Sequence, residues 1–410
     1  MSDVGASYVL WIDAGTDPYE VVRRFAVGQS TGTWLPVPGL TDELRAAHEA
    51  RVLDLQPVPA ADLVDNGSAG SWYLATIAVP SVNVGDSIPQ LLTTVIGNDA
   101  STSVQAKLVG LDLPPDLLAR FAGPRHGIDG LRERVGIHDR PLLLNMVKPC
   151  TGLTPEAGAE IVHRTALGGV DLIKDDELLG NTEFSPVVDR VRAYTAAIDR
   201  AADETGRRAL YFVNVTDRPD RMLDTARRAV DAGAEGVMVA YANAGYGSMQ
   251  ALAEAVEVPV LGHFAGSAPY YENPTTGMSS DLANGLLPRL AGADLSLVNT
   301  PYGGYPISPV AYRRTAAELT SDRPGLRRTA PIIGGGVHPG TVRRYVDEVG
   351  ADVVLGVGGA IQGHPGGAAA GVRAMHAAIE AAVAGLDVHE AAAEDDDLRV
   401  AIERWGTLEP

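Results

Sequence analysis

The chain has 410 residues, more than one ordinary domain holds, and a hydrophobic fraction of 45% is enough for more than one core, so two domains are expected. A net charge of −19 with no offsetting basic tract argues against nucleic acid as a partner. The single cysteine, Cys150, excludes an intramolecular disulfide framework and a Cys-rich metal site, and no apolar run approaches the roughly 20 residues that span a bilayer, so no membrane partner is expected.

The opening MSDVGASYVLWIDAG carries Asp3 where a secretory leader places basic residues, so a cytoplasmic protein is expected. Within 7–120, SYVLWIDA, WYLATIAV, QLLTTVIG and VQAKLVGLDL read as strands, with helical patterns at 17–27 and 41–49. That mixture predicts an N-terminal α+β domain of ferredoxin-like type over 1–130. Gly, Pro, Arg and His gather in FAGPRHGIDG (121–130), as in a crossing segment.

From 141 the pattern becomes short apolar runs, each followed by an Ala-rich amphipathic stretch. The runs are PLLLNMVKP (141–149), VDLIKDDE (170–177), ALYFVNVT (209–216), GVMVAYA (236–242), VPVLGHF (258–264), ADLSLVNT (293–300), APIIGGG (330–336) and DVVLGVGG (352–359). Eight units close a parallel barrel, so an α/β fold with a (β/α)8 TIM barrel over 131–390 is predicted. Helices at 155–168, 218–232 and 366–385 belong to its outer ring, and a charged helical tail over 391–410 packs either on the barrel or on another subunit.

In such barrels chemistry gathers at the C-terminal strand ends, which here carry Lys148, then Lys174, Asp175, Asp176 and Glu177, then Asn214 and His263. Strand alternation turns Lys174 and Asp176 inward and Asp175 toward the helices, with Glu177 returning at the turn. A structural ion-pair cluster is the plain reading of such a tetrapeptide. At the catalytic face, however, carboxylate oxygens suit Mg2+, to which Lys174 contributes only once CO2 converts its amine to a carbamate. IIGGGVHPGTV (332–342) and GVGGAIQGHPGG (356–367) each follow a strand and precede a helix, where backbone N–H groups cradle a phosphate. Gly335, Gly336, Gly358 and Gly359 are therefore phosphate-site candidates. Lys148 and His263 are acid–base candidates, with a nearby Mg2+ and partial burial both expected to lower the lysine pKa toward neutrality; Cys150, with no neighbouring histidine, reads as a bystander.

GGVDLIKDDE (168–177) resembles the RuBisCO signature, and STGTW (30–34), GPRHGIDGLRERVG (123–136), the VKP of the first run, GGGVH and GGAIQGHP have counterparts in the same order. The resemblance implies that Lys174, carbamylated, holds Mg2+ with Asp176 and Glu177, and that Lys148 stands near the enediolate. It further implies that Thr33 and Trp34 join Gly336, Gly358 and Gly359 on a phosphate, and that the chain is a homodimer whose N-terminal domain, with Thr33, Trp34 and Asn98, covers the partner's barrel mouth.

Departures point to a RuBisCO-like, form IV member that does not fix CO2: Gly28 replaces an acidic residue, and NTPYGGYPIS lacks the loop lysine of carboxylation. Phe264, Leu297 and Gly334 replace the arginine, histidine and serine of a second phosphate site, which implies a monophosphate substrate. The function expected is enediolate formation from a phosphorylated ketose or oxo-sugar acid, by an isomerase, enolase or decarboxylase route. The methionine-salvage enolases, acting on 2,3-diketo-5-methylthiopentyl-1-phosphate, keep a lysine where this chain has Asn98 and lack Lys148, which separates the two. That enolase activity, true carboxylation, an unrelated metal-dependent barrel lyase and a non-catalytic binder of phosphorylated metabolites are the competing readings.

Overall fold

The computed structural model describes residues 2–33, 35–60 and 68–408. Two compact units are present: one comprises residues 1–122 with 266–283 and 324–326, the other residues 123–265, 284–323 and 327–410. Among the described residues no helix is long and apolar enough to cross a membrane.

The first unit is built on strands β1 (Asp3–Asp13), β2 (Arg51–Val58), β3 (Gly70–Pro80) and β4 (Lys107–Asp112), in the order β2-β3-β1-β4. Neighbours run antiparallel, which with the intervening helices gives the ferredoxin-like arrangement. Alternation along β1 buries Val4, Ala6, Tyr8, Leu10 and Ile12 on one face. The helix Pro18–Gly28 lays Phe25 against Tyr8, with ring centroids 4.9 Å apart.

Two sequence expectations fail in this unit. QLLTTVIG, expected as a strand, lies mostly in the helix Ile88–Val95. Pro89 occupies its first turn, and Ile88, Leu91 and Val95 recur at three- and four-residue spacing to form the buried face. β2 was absent from the expected strands because it is an edge strand with little burial, so its core-facing alternation is weak.

The second unit is the predicted barrel. Its strands are β5 (Leu142–Met146), β6 (Leu172–Lys174), β7 (Leu210–Asn214), β8 (Gly236–Ala240), β9 (Val260–His263), β10 (Leu295–Asn299), β11 (Ala330–Gly334) and β12 (Val354–Val357). They form one closed sheet in chain order, with β12 pairing parallel to β5. The lower interior is apolar: Leu142, Leu144, Leu172, Phe212, Leu261, Leu297 and Ile332 share one core. Along each strand the same parity then climbs out of that core, so Leu144 leads to Met146 and Leu172 to Lys174.

The tail forms the helices Val388–Glu394 and Asp396–Trp405 and packs on its own unit, where Arg373 Nε donates to Asp397 Oδ2 at 2.7 Å.

Candidate active site

A cavity of about 560 Å3 opens at the C-terminal ends of the barrel strands, within the size range of small-molecule sites. On one side it is lined by Lys148, Lys174, Asp176, Glu177 and His263, and on another by Gly335, Gly336, Gly358 and Gly359. Met146, Phe264 and Leu297 add an apolar wall.

The charged side is held from behind by Asp175. Its carboxylate, fully buried, accepts from Arg190 Nε at 2.9 Å, Tyr211 Oη at 2.6 Å and the Asn214 backbone N–H at 2.9 Å. Asn214 Nδ2 donates to the carbonyls of Asp176 and Glu177 at 3.3 and 3.1 Å, which pins the turn that returns Glu177 to the cavity.

In front, Lys148 Nζ donates to Asp176 Oδ2 at 2.6 Å and to Cys150 Sγ at 3.0 Å. Cys150, expected as a bystander, thus contacts the candidate acid–base lysine; no histidine is involved, so the usual sequence signal for a functional cysteine is missing. Burial works against the Lys148 charge, but the hydrogen bonds to Asp176 and Cys150 outweigh it and hold the amine above its ordinary range. Burial instead pushes Lys174 down, against the pull of Glu177 and Asp176. Its Nζ donates to the Asp175 carbonyl at 2.9 Å and lies 3.8 Å from Glu177 Oε2.

His263 is buried, and its Nδ1 accepts from the Ala265 backbone N–H at 3.1 Å, which places the ring proton of the neutral form on Nε2. Nε2 lies 3.2 Å from Glu177 Oε2. Burial, followed by the charge of Lys174, lowers the histidine pKa, while the hydrogen bond from His263 holds Glu177 well below the usual carboxylate range.

The glycine side owes its shape to close backbone approach. Gly336 has φ +113°, and a Cβ there would lie 2.8 Å from Gly303 Cα, in the loop after β10. Gly358 and Gly359 open the short helix Gly359–Gln362, and a Cβ on Gly358 would lie 3.5 Å from Lys148 Cε, so this loop borders the acid–base lysine. Where a second phosphate would need polar groups, Gly334 faces Leu297 Cδ2 and Met146 Cε, 3.4 and 3.6 Å from its built Cβ.

Thr33 and Asn98 belong to the first unit. Asn98 is exposed at the start of the turn Asp99–Ser103, and Thr33 Oγ1 accepts from Leu35 N at 3.2 Å. Trp34 lies outside the described residues. A Cβ at Gly28 would lie 1.5 Å from Asp99 Oδ2, so the Asp99 carboxylate takes the space beside the position where the family resemblance expects an acid. Asn299, Tyr305 and Trp405, none singled out from the sequence, also line the cavity. Asn299 ends β10 in step with the inward Leu295 and Leu297, which offered a signal, whereas nothing local marked Tyr305 or Trp405.

A closed eight-stranded barrel with paired lysines and carboxylates at its strand ends, preceded by a ferredoxin-like unit, defines an architecture that known proteins share. Residues 1–116 match the ribulose bisphosphate carboxylase large chain, N-terminal domain, and residues 127–405 match its catalytic domain. A ribulose bisphosphate carboxylase-like protein of Archaeoglobus fulgidus is 39% identical, over 96% of this chain and 90% of its own. A 2,3-diketo-5-methylthiopentyl-1-phosphate enolase of Geobacillus kaustophilus is 36% identical over 100% of this chain and 99% of its own. The crystal structure of a rubisco-like protein (MtnW) from Alicyclobacillus acidocaldarius superposes with a TM-score of 0.90 at 36% identity, covering 99% of this chain and 100% of that one. The chain belongs to the RuBisCO large-chain family, as one of its non-carboxylating, RuBisCO-like members.

Proposed function

We propose that this protein is a Mg2+-dependent enolising enzyme that acts on a phosphorylated ketose or oxo-sugar acid bearing a single phosphate. The observation that carries the reading is the ordering of the cavity walls. The glycine loops border Lys148, Lys148 is paired with Asp176, and the wall that would receive a second phosphate is apolar.

The residues present fit the ion on one condition. Among the described residues, no three His, Cys, Asp or Glu side chains are grouped to hold a metal, so Asp176 and Glu177 need a third oxygen donor from Lys174. An ammonium cannot ligate, but a carbamate can, and burial moves the Lys174 amine toward the neutral form that reacts with CO2. Bound by Lys174, Asp176 and Glu177, Mg2+ would supply Lewis-acid stabilisation of negative charge on a substrate carbonyl oxygen.

The chain's own groups then divide the proton work. Lys148, kept charged by Asp176, gives an Nζ proton to the substrate carbonyl oxygen and, then neutral, takes the proton from the adjacent carbon, so the ammonium is regenerated and its exchangeable protons carry deuterium into the substrate on reversal. His263, neutral with its proton on Nε2, is the second proton carrier beside Glu177. Backbone N–H groups of the two glycine loops hold the phosphate and so orient the reacting carbons.

The enolase branch is favoured by the names of the relatives, and 2,3-diketo-5-methylthiopentyl-1-phosphate itself is the second reading, supported by those names and by the apolar wall. Against that substrate stand Asn98, in place of the lysine of those enolases, and the retained Lys148. A homodimer with sites shared between subunits follows from the family resemblance, and a solution mass twice that of the chain is the expected result. The test of function is incubation with Mg2+, bicarbonate and a panel of sugar monophosphates plus the diketo substrate in D2O. Deuterium uptake next to the carbonyl is expected with one of them, and the Lys174→Ala variant should lose it; full activity in that variant would overturn the assignment.

A further inference from the structure

We infer that Trp405, at the end of the C-terminal helix, is a substrate-binding residue that closes the phosphate cradle from within the same chain. The inference rests on the phosphomonoester reading above and extends it to a segment that reading leaves idle.

The indole lines the cavity together with Gly335, Gly336, Gly358 and Gly359. The tail reaches both glycine loops. Downstream of the second loop, His364 Nε2 pairs with the Asp397 carbonyl at 2.9 Å, and its ring lies 6.2 Å from the Trp405 ring between centroids. Downstream of the first, Leu408 N donates to the Gly340 carbonyl at 3.0 Å. The chain passes so near that a Cβ at Gly340 would come within 2.0 Å of Gly406 O. The helix itself is anchored, because Leu398, Ala401 and Ile402 are buried and Asp395 caps it through the Leu398 N–H at 2.8 Å.

A well-held helix thus carries a large aromatic to the rim where backbone donors would meet a phosphate. Among the described residues nothing accepts a hydrogen bond from the Trp405 indole N–H, which is only half-buried. An indole at this position does two things for a phosphomonoester. Its face removes water from one side of the cradle, and its N–H is a neutral donor to a phosphate oxygen.

The test is calorimetric titration of the full chain with inorganic phosphate, using wild type, Trp405→Ala, Trp405→Phe and Gly359→Asp. A Cβ at Gly359 meets no atom within 4 Å, so the aspartate is accommodated and places a negative charge in the cradle. Gly359→Asp is expected to abolish binding, and Trp405→Ala to weaken it by more than about tenfold, because it removes both the hydrogen bond to a charged acceptor and the ring that excludes water. Trp405→Phe keeps the ring and loses the N–H, so it should weaken binding by a smaller factor while melting at the wild-type temperature. In a Trp34→Phe background, which removes the other tryptophan expected at the phosphate, it should also lose the phosphate-induced change in tryptophan emission, a signal that a purely structural role would not move. If Gly359→Asp blocks binding but both Trp405 variants titrate as wild type, the Trp405 assignment is overturned and the cradle stands. If phosphate fails to bind, or binds regardless of Gly359→Asp, the cradle reading itself is wrong and this inference falls with it.

Discussion

Lys148 and Lys174 lie in one cavity and are driven in opposite directions. Asp176 and Cys150 keep the first charged, whereas complete burial drives the second toward neutrality. This difference fits the division of work proposed for them, in which the amine pushed downward would capture CO2 and the charged one would serve the proton transfers. Replacing Lys148 with methionine keeps most of the stem and removes the proton. Solvent-proton exchange into substrate should then fall by about 10²–10⁴-fold with little change in KM. Deuterium incorporation followed by NMR measures this, and a wild-type exchange rate in Lys148→Met would move the acid–base role elsewhere.

At the scale of elements, the short strand β6 is followed by three consecutive acidic residues, of which Asp176 and Glu177 face the cavity beside Lys174. Asp175 faces the helix Val187–Thr205 instead, where Arg190 satisfies it together with Tyr211 of β7. Both charges of the Asp175–Arg190 pair are fully buried, so removing one leaves the other uncompensated. Arg190→Met should cost about 3–5 kcal/mol in urea unfolding, and the double variant with Asp175→Asn should recover part of that loss. Equal stability of Arg190→Met and wild type would mean that the network does not hold the strand end in place. The helix Ile88–Val95 belongs to the same scale: an apolar run of that length serves either period, and here the first-turn proline and the available core face select the helix.

For the molecule as a whole, buried histidines couple stability to pH. His376, on the helix Ala368–Ala384, donates through Nε2 to the Gly169 carbonyl at 2.9 Å. Burial lowers its pKa, with Arg140 and Arg207 acting in the same sense and Asp171 and the Gly169 carbonyl opposing. The folded state therefore prefers the neutral ring, so its contribution is complete above about pH 6.5 and is lost as the pH falls through the lower folded value. His376→Gln should flatten the decline in melting temperature between about pH 7 and pH 5 relative to wild type. Parallel declines in the two proteins would show that other groups carry the effect. Much of this architecture was legible in the amino-acid order, because strand periodicity and the count of eight apolar runs depend on local pattern alone. The same parity rule predicts that Lys174 and Asp176 of LIKDDE turn inward, and the cavity lining contains both. What only the tertiary structure decided is who meets whom. Cys150 against Lys148, Arg190 behind Asp175, and Trp405 beside glycines some 50 to 70 positions earlier depend on how distant segments are brought together. Periodicity specifies which face of an element is covered, but the partner that covers it is chosen by packing and electrostatics across the closed barrel.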